Sequence, residues 1–246
     1  MKRRIFLMYG QSNMCDRGWA AELPAFANSD RMFVYTRVTP VGVAEIGTHG
    51  TWQPAVDVID PAGTNPGQVG ALALAFMNRM CELYPDDEIG VVPRSQPGTG
   101  IDTWKKWNRI SGNYGMALER VWWALDELPA GVDGEIAGAL WWQGEGDAAS
   151  ANASLWCERF SHIVSDTRVD LQNLNLPIVF VRLGNDIPSG MTYWNTVRQQ
   201  QDWMTMRNLA KVSIDDVVPL SDKTHYPTAG YITIGTRMAD AMAPML

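Results

Sequence analysis

Five short apolar runs punctuate this chain, at 4–9, 88–93, 136–142, 178–182 and 212–214. Several lack the alternation of a strand with one wet face. A continuous apolar run of strand length suits a strand covered on both sides, as in a parallel sheet. Stretches of helical period separate and follow them, at 70–84, 114–128, 150–170, 192–208 and 228–243. Strands followed by helices predict right-handed βαβ units. The fold class expected is therefore α/β, a three-layer α/β/α sandwich around a central, mostly parallel five-stranded sheet. With 46% hydrophobic residues in 246, the chain fills such a core without metal or disulfide staples.

The segment 16–67 breaks this rhythm. It is rich in Gly, Pro and Thr, with short β-like pieces such as 32–36. Long irregular stretches inside compact domains are usually functional or mobile. Its place after the first strand predicts that it forms part of the wall of a site. No repeat or low-complexity linker interrupts the chain, so residues 1–246 are read as one domain.

A formal charge of −7 argues against nucleic acid or an anionic membrane surface as partner. No run approaches the ~18–20 apolar residues of a membrane span. Met1-Lys2-Arg3-Arg4 and the run after it imitate a secretion signal, but the run is short. It ends at Gln11-Ser12-Asn13 without a small-residue cleavage site, so no signal peptide is expected here. The three cysteines, Cys15, Cys81 and Cys157, are odd in number and form no close pair, which is not a disulfide framework. His and Cys pairs at ligand spacing are missing too, so no metal is expected.

In open parallel sheets, ligands sit beyond the carboxyl ends of the strands. Four polar strings follow predicted strands: Gly10-Gln11-Ser12-Asn13-Met14, Pro97-Gly98-Thr99-Gly100, Gln143-Gly144-Glu145-Gly146-Asp147 and Asp222-Lys223-Thr224-His225. A serine hydroxyl becomes a nucleophile when a base takes its proton, and an imidazole is a better base beside a carboxylate. The spacing of three lets Asp222 fold back onto Nδ1 of His225 and leaves Nε2 for Ser12. Ser12 would also lend its backbone N–H to an oxyanion. A serine here equally reads as a helix cap, and the last string as a capped surface turn. Met14 departs from the Gly-x-Ser-x-Gly nucleophile elbow. Of the three histidines, His162 reads as structural in a helix and His49 as a rim residue, leaving His225 as the base.

The Gln143 amide suits an oxyanion donor. Glu145 reads as a buried structural or site carboxylate, or as a second acid behind the imidazole. Asp147 reads equally as a helix-start carboxylate. A carboxylate pair alone would also fit a glycosidase, less economically given the serine and histidine. Gly98 lets backbone approach a substrate, although alone it is a plain turn. Among eleven tryptophans, Trp122, Trp123, Trp156 and Trp203 fall in predicted helices and read as core. Trp52, Trp104, Trp107 and Trp194 lie in or near predicted loops and are candidates for a wall that stacks on sugar faces. Packing explains any one of them equally well.

These blocks, with Trp104 and Trp142, resemble in order and across nearly the whole chain those of the SGNH-hydrolase superfamily. Within it they are similar to the sialate O-acetylesterase-like group, which includes the acetylxylan esterases of carbohydrate esterase family six. The resemblance implies an SGNH, flavodoxin-like sheet and a serine esterase removing O-acetyl groups from carbohydrates, without a cofactor. It implies Ser12 as nucleophile, His225 as base and Asp222 as its partner. The implied oxyanion hole is the N–H of Ser12, the N–H of Gly98 and the side chain of Gln143, with Gln11, Asn13 and Glu145 as supporting candidates. This chain departs from the group at Pro97 and Gly100, where Gly and Ser are frequent, and at Gly146, where Ser is usual. The alternative is a carbohydrate-binding or assembly module that kept the fold and lost the activity.

Overall fold

A computed structural model describes residues 2–15, 17–36, 50–55, 67–106 and 112–246. Trp107, His49 and much of the irregular segment lie outside the described residues. In chain order the strands and α-helices are β1 (Lys2–Gly10), β2 (Met32–Thr36), β3 (Thr51–Pro54), α1 (Ala71–Leu83), β4 (Glu88–Ser95), α2 (Asn113–Asp126), β5 (Asp133–Trp142), α3 (Trp156–Asp170), β6 (Ile178–Val181), α4 (Trp194–Trp203), β7 (Leu209–Val212) and α5 (Thr228–Met242). The sheet has seven strands rather than five, in the order β3-β2-β4-β1-β5-β6-β7. Every pairing is parallel except that of β2 with β3, which is antiparallel.

The two extra strands come from the segment that had no clean pattern. β3 reads Thr-Trp-Gln-Pro and has no fully buried residue, so an apolar-run criterion passes over it. β7 ends at Val212, whereas the apolar run pointed to 212–214. Ile214 is buried, but after the chain has left the sheet. The helix expected over 150–170 begins as a 3-10 turn, Ala151–Leu155, before α3.

Alternating side chains of the central strands feed two cores. Phe6 and Met8 of β1, Val179 and Val181 of β6, and α1 and α5 form one. Ile5, Leu7, Tyr9, Ile178 and Phe180 join α2, α3 and α4 in the other. Both faces of β1 are therefore dry, which is why its sequence runs apolar without a break. Trp156 is core as expected, whereas Trp122 and Trp203 are 41% and 62% exposed. Both lie on outer helix faces, where the 3.6-residue period turns them to solvent. No disulfide joins the three cysteines. Among the described residues no helix is long and apolar enough to cross a membrane.

β1 occupies the centre, with β4 on one side and β5 on the other. Its carboxyl end opens where the chain order reverses, the place at which such sheets hold ligands.

Candidate active site

β1 ends at Gly10, whose φ of +145° lets the chain turn against β5. A Cβ there would stand 2.2 Å from the Trp142 carbonyl oxygen. The turn brings the Gln11 N–H onto that carbonyl at 2.9 Å and starts the 3-10 turn Ser12–Met14. Ser12 is buried at the turn's first residue.

The other half of the site arrives 213 residues later. Lys223 takes a positive φ of +57°, and the Leu220 N–H reaches the His225 carbonyl at 2.7 Å. This tight loop folds Asp222 back on its own chain. Asp222 Oδ1 accepts the backbone N–H of Thr224 and of His225, both at 2.9 Å, and Oδ2 lies 2.7 Å from His225 Nδ1. His225 Nε2 lies 3.0 Å from Ser12 Oγ. Donation from Nδ1–H to the carboxylate fixes the tautomer in which Nε2 accepts the serine proton. Burial alone would raise the Asp222 carboxyl, but the His225 N–H and ring and the Thr224 N–H together hold it below the usual range.

Asn13 joins the two halves. Its Nδ2 donates to Glu145 Oε1 at 2.6 Å and to the Thr224 carbonyl at 3.0 Å, while its Oδ1 accepts the Tyr231 hydroxyl at 2.7 Å. The residue after the serine thus grips the loop one residue before the histidine. Gln11 Oε1 accepts the Gly146 N–H at 3.1 Å and ties the serine turn to the end of β5. Glu145 is buried, and burial pushes its carboxyl up to about 7 against the opposing pull of its own backbone N–H and of Asn13. Its side-chain hydrogen bond goes to Asn13 and none goes to His225, so it is not a second acid behind the imidazole.

Gln143 is corrected. Its amide is fully buried, and Nε2 donates to the Thr99 carbonyl at 3.1 Å and to Asp147 Oδ2. Oε1 accepts the Trp156 indole N–H at 3.0 Å. Both amide hydrogens are spent inside the protein, so none faces the serine. Gln143 is a strut under the Gly98 turn instead. Asp147, whose carboxyl burial raises, also accepts the Ile101 N–H at 2.9 Å and braces the far end of that turn.

Gly98 sits at a φ of +70° on an exposed corner, and its N–H donates to no protein atom among the described residues. The turn is anchored to the serine strand through the Gln96 N–H and the Gly10 carbonyl at 2.9 Å. The departure at Gly146 now has a physical reason. A Cβ there would lie 2.5 Å from the Thr99 carbonyl oxygen, so the glycine lets the Gly98 turn settle onto the end of β5.

The tryptophan wall is also corrected. Trp104 is wholly buried, edge-on to Tyr9 and Trp141. Trp194 is buried with its indole N–H on the Gly184 carbonyl at 2.8 Å. Trp52 lies at the opposite end of the sheet, under the guanidinium of Arg3 near the start of β1, with its N–H on the Ala124 carbonyl. Large aromatic area made burial the cheaper use of Trp104 and Trp194, and Trp52 is half-buried against the other core.

Sequence reasoning passed over Tyr231, Thr228, Arg17 and Trp19. Tyr231 and Thr228 looked like ordinary positions of a helical period. Trp19 lay in the segment flagged as a wall, beside Gly18, which was the available signal. Arg17, Trp19, Thr228 and Tyr231 line one hollow of about 200 Å³ with Asp222 and His225.

The architecture is that of solved esterases. An X-ray structure of an Arabidopsis thaliana protein superposes with a TM-score of 0.77 at 25% identity, over 98% of this chain and 97% of that one. The same protein, described as a probable carbohydrate esterase, is 28% identical in sequence over 97% of this chain and 89% of its own length. The structure of NanS matches at a TM-score of 0.71 and 17% identity, over 98% and 96% of the two chains. A carbohydrate acetylesterase from Xanthomonas citri matches at 0.68 and 21%, over 97% of this chain and 55% of that one. The fold is thus the α/β sandwich of the SGNH type, as the sequence blocks implied. The family model described as carbohydrate esterase, sialic acid-specific acetylesterase, matches residues 2–244, and the chain belongs to that family. It is a carboxylic ester hydrolase that acts on acetylated saccharides.

Proposed function

We propose that this enzyme removes O-acetyl groups from carbohydrate hydroxyls through an acetyl-enzyme on Ser12. The observation that carries the reading is the relay in which Asp222 lies 2.7 Å from His225 Nδ1 and His225 Nε2 lies 3.0 Å from Ser12 Oγ. Ser12 Oγ attacks the ester carbonyl as its proton passes to Nε2. The oxyanion that forms takes hydrogen bonds from the Ser12 and Gly98 N–H groups, neither of which donates to a protein acceptor among the described residues. Collapse breaks the bond to the sugar oxygen, which leaves with the proton from Nε2. Water, deprotonated by the same nitrogen, then attacks the acetyl-serine; collapse breaks the bond to Ser12 Oγ, which takes the proton back from Nε2, and acetate is released.

Asp222 holds the tautomer and stabilises the imidazolium, while Asn13 holds the histidine loop at the right height. Part of the segment 16–67 walls the leaving-group side of this single domain. Ser12→Ala assayed for acetate release from acetylated saccharides tests the nucleophile. A loss of at least ~10³-fold in kcat is expected, and turnover at the wild-type rate would remove Ser12 from the mechanism.

A further inference from the structure

A deacetylase of this kind must give the leaving sugar its proton from Nε2 of the histidine. The sugar ring therefore has to lie on the imidazole side of the serine, away from the oxyanion donors. Beside that imidazole the protein has a hollow of about 200 Å³, shared by His225, Asp222, Arg17, Trp19, Glu22 and Gln68. We propose that this hollow is the sugar subsite, that Trp19 is its stacking platform, and that it takes an uncharged pyranose ring. This rests on the deacetylase reading above.

Trp19 is 47% exposed, against complete burial of Trp104. Trp122 and Trp203 are comparably exposed on outer helix faces, so what marks Trp19 is its place in the lining of the hollow beside His225. The platform is held from three directions. The Trp19 N–H donates to Thr228 Oγ1 at 2.9 Å, and the Thr228 hydroxyl donates to Glu22 Oε2. Thr228 opens α5 three residues after His225, so the tryptophan and the base share one support. The backbone from 17 to 20 is stitched to the strip 67–71 by Ala20 N–H to Gly67 O at 3.1 Å, Val69 N–H to Gly18 O at 3.0 Å and Ala71 N–H to Arg17 O at 3.2 Å. A Cβ added at Gly67 would stand 3.8 Å from the indole, so the strip runs beside the ring. A preorganised aromatic face of this kind loses little entropy on meeting a sugar C–H face.

Arg17 supplies the polar recognition. Its Nε donates to the Ser12 carbonyl at 3.3 Å, and its terminal nitrogens have no recorded acceptor among the described residues. Arg17 lines the hollow, and its N–H groups are donors that ring hydroxyls can accept. The lining sets this one cation against two carboxylates, Glu22 and Asp222. A ring bearing its own carboxylate meets repulsion there, whereas a neutral ring does not.

The test compares kcat/KM on a neutral mono-O-acetyl methyl pyranoside with that on ethyl acetate. Ethyl acetate has no ring to stack, unlike an aryl ester. Trp19→Ala is expected to lower the sugar-to-ethyl-acetate ratio about tenfold, through KM on the sugar, with Trp19→Phe recovering most of it. The wild type is expected to favour the neutral glycoside over the matching acetylated uronoside. An unchanged ratio in Trp19→Ala, with Ser12 still required for both esters, overturns the subsite and leaves the nucleophile standing. A preference for the uronoside overturns its neutral character. Ser12→Ala that hydrolyses both esters at the wild-type rate overturns the mechanism beneath it.

Discussion

Asn13 and Glu145 carry the consequences that a single side chain can carry. Glu145 titrates near 4.5 in an open chain and near 7 in the fold, because burial penalises its charged form. Its neutral form is the one the fold prefers. The stability it contributes is complete below the unfolded value and is lost as pH rises from there through about 7. The loss is on the order of 3 kcal/mol. Glu145→Gln, neutral at every pH and of the same shape, should flatten that decline, read as a smaller fall in melting temperature between pH 5 and pH 8. An undiminished fall would place the titrating group elsewhere. Asp222 has the opposite sign, since its lowered carboxyl favours the fold above the ordinary carboxylate range and withdraws that support in acid. Asn13→Ala strands the Tyr231 hydroxyl, Glu145 Oε1 and the Thr224 carbonyl at once. Each lost partner costs about 1–3 kcal/mol where the group is buried. Steady-state kinetics should show kcat falling by more than KM rises, since the histidine loop loses its tie while the hollow loses only the anchor of Tyr231.

At the scale of elements, the end of β5 does two tasks that the sequence pattern could not separate. Gln143 follows a buried strand and bears an amide, so it satisfied every requirement of an oxyanion donor except the one that needs coordinates, an unspent N–H. Its bonds to Thr99, Asp147 and Trp156 make it a brace for the Gly98 turn. Gln143→Ala should therefore lower the melting temperature, with about 1–3 kcal/mol lost for each buried partner left unpaired. A variant with an unchanged melting temperature and a fall in kcat alone would restore Gln143 to the oxyanion hole. The strands of the dry sheet centre were legible because burial on two faces leaves an unbroken apolar run. β2 showed as a β-like piece at 32–36 but was not counted into the sheet, and β3 was not legible at all, because an edge strand tolerates polar side chains such as those of Thr51 and Gln53. α4 ends at Trp203 although the apolar pattern continues through Met204 and Met206, and both methionines still pack against the core from non-helical backbone. Apolar spacing reports burial, and it cannot tell a helix end from a buried loop.

For the molecule as a whole, the informative fact is that the two ends of the chain supply one site. β1 sits at the sheet centre and delivers Ser12, while α5 packs against α1 and carries the His225 loop at its start. The four polar strings were readable as a set because parallel strands release their loops at one edge. The aromatic wall was not, because a tryptophan near a glycine turn looks the same in sequence whether it faces the core, as Trp104 does, or solvent, as Trp19 does. Only the stitching of 17–20 to 67–71 decides that, and it is a long-range backbone pairing with no local signature.

The claim on which the account depends is that Ser12 is the nucleophile activated by His225. The most direct measurement is the site of covalent labelling by an organophosphonate, read by mass spectrometry of the digested enzyme and compared with the His225→Ala variant. The account predicts one adduct per chain, on the peptide containing Ser12, and labelling slowed by orders of magnitude without the imidazole. An unlabelled enzyme, an adduct on another residue, or labelling at the same rate in His225→Ala would contradict it.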